Sequence, residues 1–309
     1  MKKKLFLSAI FALTLLQAQT PANLDKMQGK STENILKIPA LSPRAWVKQD
    51  FSVSMIKINY GRPSMNGRKI FGELVPFDQL WRAGANQATM LSFGQDVKVN
   101  GQMLAAGEYA LYVIPRENAD WSVIFSKNEK LHHGDAKNFD DKEAVLKLEV
   151  PAQKMENMQV ETFTIDVWQV NEDTATIWLG WENHSISLKI TEADEDIVIK
   201  TIDQLMTLEG EKPYYQAADY YFRHGKDAHK ALAWLQQIPA DNQYFWIDIL
   251  HTKLLLAVGK PSDAQKTLNS AKLKAEKMNL TQMAEKPIEE LQAKITAESG
   301  KKHVKKGKK

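Results

Sequence analysis

The chain has 309 residues, enough for two domains of ordinary size, and its 43% hydrophobic and 26% charged content is that of a folded protein with a sizeable core. It has no cysteine, which excludes disulfides, a lipidated N-terminal cysteine and any thiolate ligand or nucleophile. The formal charge of +3 is set by nine lysines in the first four and last nine residues; the body between carries 32 basic against 38 acidic residues, about −6, and so lacks the positive surface that nucleic-acid binding needs.

In chain order, the first residues are Met1, three lysines, an apolar run from Leu5 to Leu16 and then "LQAQT". These are the charged, apolar and small-residue parts of a secretory leader, with cleavage expected after Ala18. The run is shorter than the roughly 20 residues that span a bilayer. We therefore expect an exported protein, periplasmic or secreted, with residues 1–18 as a signal peptide, 19–40 as a flexible lead-in and no transmembrane anchor.

From Phe51 to Ile190 the pattern has period two and is rich in Val, Ile, Phe and Trp, as in "FSVSMIKINY", "ATMLSFGQDVKV", "GEYALYVIP", "WSVIFS", "VLKLEV", "FTIDVWQV" and "TATIWLGWENHSISLKI". Such alternation predicts strands half buried against a core. Asn100-Gly101 predicts a tight reversal, because both residues tolerate positive φ, and Pro115 and Pro151 are expected to close strands. Many short strands without helical pattern between them predict an antiparallel β-sandwich, or a barrel, over residues 41–190.

After about Thr191 the spacing becomes helical, in "EDIVIKTIDQLMTL", "PYYQAADYYFRHG", "DAHKALAWLQQI", "QYFWIDILHTKLLLAVG" and "DAQKTLNSAKLKAEKM". Pro213 and Pro261 stand at expected helix starts, Gly225 and Gly259 at helix ends. Gly225-Lys226 recurs as Gly259-Lys260 after 34 residues, the tetratricopeptide period. Residues 191–298 are thus expected to form α-helical hairpins of tetratricopeptide-like type, or a plain helical bundle. The basic 299–309 end reads as a frayed tail, or as a tether to an anionic surface.

The stretch from Tyr60 to Met90, "YGRPSMNGRKIFGELVPFDQLWRAGANQATM", joins two strands yet is too long for an ordinary connection, so it is either functional or ordered by its own side chains. Its Tyr-x-Arg-Pro, Gly-Arg-x-Ile-Phe-Gly and Trp-Arg-x-Gly-Ala-Asn-x-Ala-Thr series, followed by "LAAGEYALYVIP" and "WSVIF", closely resembles the bacterial domain-of-unknown-function 2911 family over about Leu41 to Ile190. Tyr60, Arg62, Pro63, Gly67, Arg68, Ile70, Phe71, Gly72, Trp81, Arg82, Gly84, Ala85, Asn86, Ala88 and Thr89 match. Gly61 stands where relatives often carry Ser, and Asn66 where they often carry Lys. The resemblance implies export and a β-sandwich-like fold, often with a helical repeat appended, and implies no reaction.

Arg62, Arg68 and Arg82 offer forked donors suited to carboxylate, phosphate or sulfate, and Asn86 an amide that donates and accepts. With Trp81 they are the candidate ligand-binding residues, for an anionic or carbohydrate-like ligand. The competing expectation is that these arginines pair with Glu73 or Asp78 and satisfy loop carbonyls, making the stretch a fastener. His132, His133 and Asp135, around Gly134, are candidate ligands for a divalent metal; no other cofactor is expected. The Gly-x-Ser-x-Gly, His-Glu-x-x-His and phosphate-loop signatures are missing.

Two classes of function follow. One is a non-enzymatic binding or scaffold protein of the cell envelope, with a β-sandwich ligand module and helices that contact a protein. The other is a hydrolase or lyase on envelope polymers, using a dispersed Arg/His/Asp site. Arginines clustered with a histidine and a carboxylate would favour the enzyme, and arginines paired within the loop would favour the binder.

Overall fold

A computed structural model describes residues 39–130, 140–194, 196–239, 241 and 244–306. The expected leader and most of the lead-in lie outside these residues. Among these residues twelve strands come first. The first sheet holds β1 (Arg44–Phe51), β2 (Ser54–Gly61), β3 (Thr89–Phe93), β6 (Gly107–Ile114), β7 (Trp121–Ser126) and β8 (Ala144–Val150), side by side in the order β1-β2-β3-β6-β7-β8. The second runs β10 (Val160–Trp168), β11 (Thr174–Glu182), β12 (His184–Glu192), β4 (Val97–Val99) and β5 (Gln102–Leu104), with β9 (Gln153–Lys154) pairing β12. All pairings between these strands are antiparallel. The two inner faces share one core, in which Ile56, Ile58, Leu111 and Val123 of the first sheet meet Ile165, Ile177, Leu179 and Leu188 of the second. The architecture is a sandwich, as the alternation predicts.

The Asn100-Gly101 reversal joins β4 to β5, both residues at positive φ (46° and 84°). β6 ends immediately before Pro115 and β8 immediately before Pro151. Two expected strands are in fact hairpins. The chain turns at Ser52 (φ 53°), so that β1 precedes the run read from Phe51, and it turns again at Glu182-Asn183 inside "TATIWLGWENHSISLKI". Neither turn has a glycine or proline to mark it, because Ser52 and Glu182 (φ 52°) themselves take the left-handed conformation.

Among the described residues six α-helices follow: α1 (Ile197–Thr207), α2 (Tyr214–Arg223), α3 (Ala228–Leu235), α4 (Phe245–Ala257), α5 (Pro261–Lys277) and α6 (Thr281–Lys306). The fold is thus a β-sandwich followed by an α-helical part. Asp227 caps α3, its carboxylate accepting from the His229 and Lys230 amides. Three helix ends close alike: after α2, α4 and α5 the residues Gly225 (φ 60°), Gly259 (φ 73°) and Asn279 (φ 57°) are left-handed, and Lys226, Lys260 and Leu280 donate to Tyr221 O, Leu255 O and Ala275 O. Ala218, Ala231, Ala264 and Ala271 are fully buried, which lets neighbouring helices approach closely. The last helix carries Pro287 within it and continues to Lys306, past residue 298, where the sequence led us to end the helical region. Among the described residues no helix is long and apolar enough to cross a membrane.

The sandwich and the helices meet at the β10–β11 turn. There Glu172 takes Arg223 Nη1 on one oxygen, and its other oxygen lies 2.7 Å from His224 Nε2.

Candidate functional site

The Tyr60–Met90 stretch wraps one end of the sandwich. β10 is an edge strand, and the stretch supplies partners for its free side. Met65 N donates to Glu161 O (2.8 Å), Phe163 N to Pro63 O (2.9 Å), and Ser64 bridges to Thr162. The Tyr60 hydroxyl donates to Ile165 O and accepts from Ile165 N. Further on, Trp81 exchanges both backbone hydrogen bonds with Val113 (2.8 Å each), extending the first sheet past the end of β3. Ile70, Phe71, Val75, Leu80 and Trp81 are buried. The long connection is therefore ordered by its own side chains, which is one of the two reasons such a segment exists.

The arginines divide by what they hold. Arg62 Nε donates to Phe163 O (3.2 Å) and Nη2 to Thr164 Oγ1 (2.8 Å), which binds β2 to the β10 edge. Arg68 folds back on its own turn, donating to Met65 O (2.8 Å) and Ser64 O (2.7 Å). Arg82 Nη1 donates to Asn86 O (2.5 Å). The expected carboxylate pairs do not form: Glu73 lies 3.9 Å from Lys69, and Asp78 lies 3.8 Å from Arg116. The loop's own carbonyls take the guanidinium donors first, since a buried carbonyl left bare costs more than an exposed carboxylate left in water. Trp81 is a core residue. Its indole N–H donates to Gly84 O (3.2 Å) and its ring stacks on Trp181 at 5.8 Å.

The structure brings Arg82 and Asn86 together with residues that the sequence did not single out. Arg44 Nε donates to Oδ1 of the buried Asn59 (2.8 Å), and Arg44 Nη1 donates to Gln87 Oε1 (2.5 Å). Two guanidinium groups, Arg44 and Arg82, therefore converge on the consecutive residues Asn86 and Gln87. The Asn86 amide reaches Ser42 O (3.4 Å), and Arg62 N donates to Pro43 O (2.8 Å), so the start of β1, the end of β2 and the 82–87 loop form one corner. Trp46, opposite Asn59 in the β1–β2 register, is 58% exposed beside it.

This loop is held in an uncommon backbone. Ala83 (φ 48°) and Asn86 (φ 66°) are left-handed, and Gly84 has φ 155°. Gly61 permits the close approach, since a Cβ there would stand 2.2 Å from Ala85 O. Thr89 Oγ1 ties the loop down by donating to Ala83 O (2.5 Å). A non-glycine residue at positive φ persists only where its surroundings over-determine it, and such positions concentrate at ligand sites. Among the described residues none of Arg44, Arg62, Arg68 and Arg82 forms an ion pair with a carboxylate. Burial lowers the Arg44 pKa below its ordinary value, as expected for a cation drawn into the corner without a counter-charge.

His132, His133 and Asp135 lie outside the described residues, and among the described residues no cluster of three His, Asp or Glu is placed to hold a metal ion. His184 is half-buried and packs against aromatic rings, away from the arginine corner. It stacks on Trp121 at 5.8 Å and meets the edge of Phe71 at 5.2 Å, and burial lowers its pKa.

No curated protein and no solved structure matches the chain. Residues 42–190, which span the sandwich and its arginine corner, match the model of the family described as Protein of unknown function (DUF2911).

Proposed function

We propose that the protein is an exported, non-enzymatic binding or scaffold protein of the cell envelope, whose sandwich takes an anionic ligand at the Arg44–Arg82 corner. The observation that carries the reading is the convergence of two guanidinium groups without carboxylate partners on a strained loop, in a body whose net charge is about −6. Each guanidinium has N–H groups beyond those engaged with Gln87, Asn59 and Asn86, and a planar carboxylate or a phosphate matches that fork. Arg62 and Arg68 hold the frame, and Asn86 and Gln87 set the corner's shape.

The leader-like first 18 residues support export. The 34-residue recurrence of equal helix ends supports a tetratricopeptide-like stack, and the groove of about 790 Å³ between α5 and α6, lined by Leu268, Asn269, Lys272, Ile288 and Gln292, is its surface for a protein contact.

The test is calorimetric titration of the protein with citrate, glucuronate and glucose 6-phosphate over a salt series. Binding of one of them that weakens with salt, and that is lost in the Arg44→Ala, Arg82→Ala double variant, is expected. Equal binding by the double variant, or turnover of the bound compound, overturns the reading.

A further inference from the structure

The outer face of the second sheet carries a tryptophan pair remote in kind from the arginine corner. Three rungs cross β10, β11 and β12 on the solvent side: Thr164–Gly180–Ser185, Asp166–Trp178–Ser187 and Trp168–Thr176–Lys189. The inward positions between them, Phe163, Ile165, Ile177 and Leu179, belong to the core. A polar face is what this parity predicts, and the two tryptophans interrupt it.

Their arrangement is fixed by their neighbours. Gly180 has no side chain, and the benzo edge of Trp178 fills the space where one would be, its nearest carbon 2.0 Å from the position of a Cβ. Trp178 thereby lies low on the sheet and is 8% exposed. Trp168 stacks on it with ring centroids 4.6 Å apart and planes 9° from parallel. The Trp168 indole N–H points to Asp166 Oδ2 (3.4 Å), and Asp166 Oδ1 accepts from Val167 N (2.8 Å), which holds ring and carboxylate in place. With one ring face against Trp178, Trp168 remains 45% exposed.

We propose that this tryptophan platform is a binding site for a neutral pyranose unit of a polysaccharide, separate from the anion site. A pyranose has an apolar C–H face and a hydroxyl rim. The platform offers one flat indole face with Asp166, Thr176 and Ser187 beside it as donors and acceptors. The exposed apolar patch is one ring wide, on the order of 100 Å², against the roughly 800 Å² per partner that a stable protein interface buries. A quaternary ammonium would call for several aromatic walls around one point, and here the two rings cover each other and leave a single face. Asp166 and Lys189, of opposite charge, flank the pair on this face, so its nearest charges do not favour one sign of sugar.

The experiment is calorimetric titration of the full-length protein with cellohexaose, maltohexaose and chitohexaose, with tetramethylammonium as the competing chemistry. At least one hexasaccharide should bind. Trp168→Ala should weaken it by about tenfold or more, roughly the 1.4 kcal/mol of a lost stacking face, while the melting temperature holds. Trp168→Tyr should retain most of the affinity, and anion binding at the arginine corner should be unchanged in both variants. Absence of hexasaccharide binding, equal binding by Trp168→Ala, or Trp168-dependent binding of tetramethylammonium alone overturns the inference; each of these leaves the anion-site reading to its own test.

Discussion

Tyr60 and Ile165 share a single hydroxyl in both directions: Tyr60 Oη donates to Ile165 O at 3.1 Å and accepts from Ile165 N at 3.0 Å. The ring comes from the first sheet and the backbone from the second, so this contact joins the two layers in the buried core. Tyr60→Phe keeps the ring and leaves both Ile165 backbone groups bare. The expected cost is about 1–3 kcal/mol. It should read as a lower urea midpoint with an unchanged slope.

Arg62 and Arg82 should separate holding from binding. Arg62 is half-buried and bonds two groups of β10, so Arg62→Ala should cost about 1–2 kcal/mol. Arg82 makes one exposed bond, to Asn86 O, and Arg82→Ala should stay within about 0.5 kcal/mol of the parent. Anion affinity should show the reverse order, with the larger loss in Arg82→Ala. Thermal melts and titrations of the two single variants check both orders.

In the helical part Lys274 and Asp248 form a largely buried ion pair. Lys274 Nζ lies 2.9 Å from Asp248 Oδ2, which also accepts from Ser270 Oγ (2.6 Å), and this ties α5 to α4. Lys274→Met should destabilise by about 3 kcal/mol, because it strands a buried carboxylate. Adding Asp248→Asn should recover most of that loss. Denaturant melts of the single and double variants measure the difference.

The junction should respond to pH through two glutamates of opposite sign. The hydrogen bond from His224, and then that from Arg223, lowers the Glu172 pKa below its ordinary 4.5. The stability from Glu172 is therefore present above 4.5 and is lost as pH falls through its lowered value. Its side chain is half exposed, so the contribution is under about 1 kcal/mol. Burial raises the Glu192 pKa, and only 7% of that residue is exposed. Stability is therefore lost as pH rises from 4.5 through the raised value. Glu192→Gln should raise the melting temperature by a few degrees at pH 7 and leave it unchanged at pH 4; Glu172→Gln should lower it slightly at pH 7.

What could be read in the sequence follows from the range of the contacts concerned. The alternation of Phe163, Ile165 and Val167 with Thr164, Asp166 and Trp168 is local, and it shows a strand with one wet face. It also puts Trp168 on that wet face, whereas its stacking on Trp178 comes from the β10–β11 register, which spacing does not mark. Gly225, Gly259, Pro213 and Pro261 mark helix ends through their own backbone limits, and those marks needed no partner. Arg44 and Asn59 carried no such mark. They enter the corner through the β1–β2 register and a contact 43 residues away at Gln87, and both are set by folding rather than by spacing. The division of labour among Arg62, Arg68 and Arg82 was hidden likewise, because it depends on which carbonyls each one meets.

The cover that residues 62–65 lay along β10 also bears on how copies of the chain behave at high concentration. A bare strand edge is a template on which a neighbouring molecule can add a strand of its own, and repeated addition gives fibres. With Phe163, Ile165 and Glu161 already paired on that side, the second sheet cannot be lengthened past β10 by an incoming chain. The same few residues that join two layers within one molecule thus close this edge to other copies.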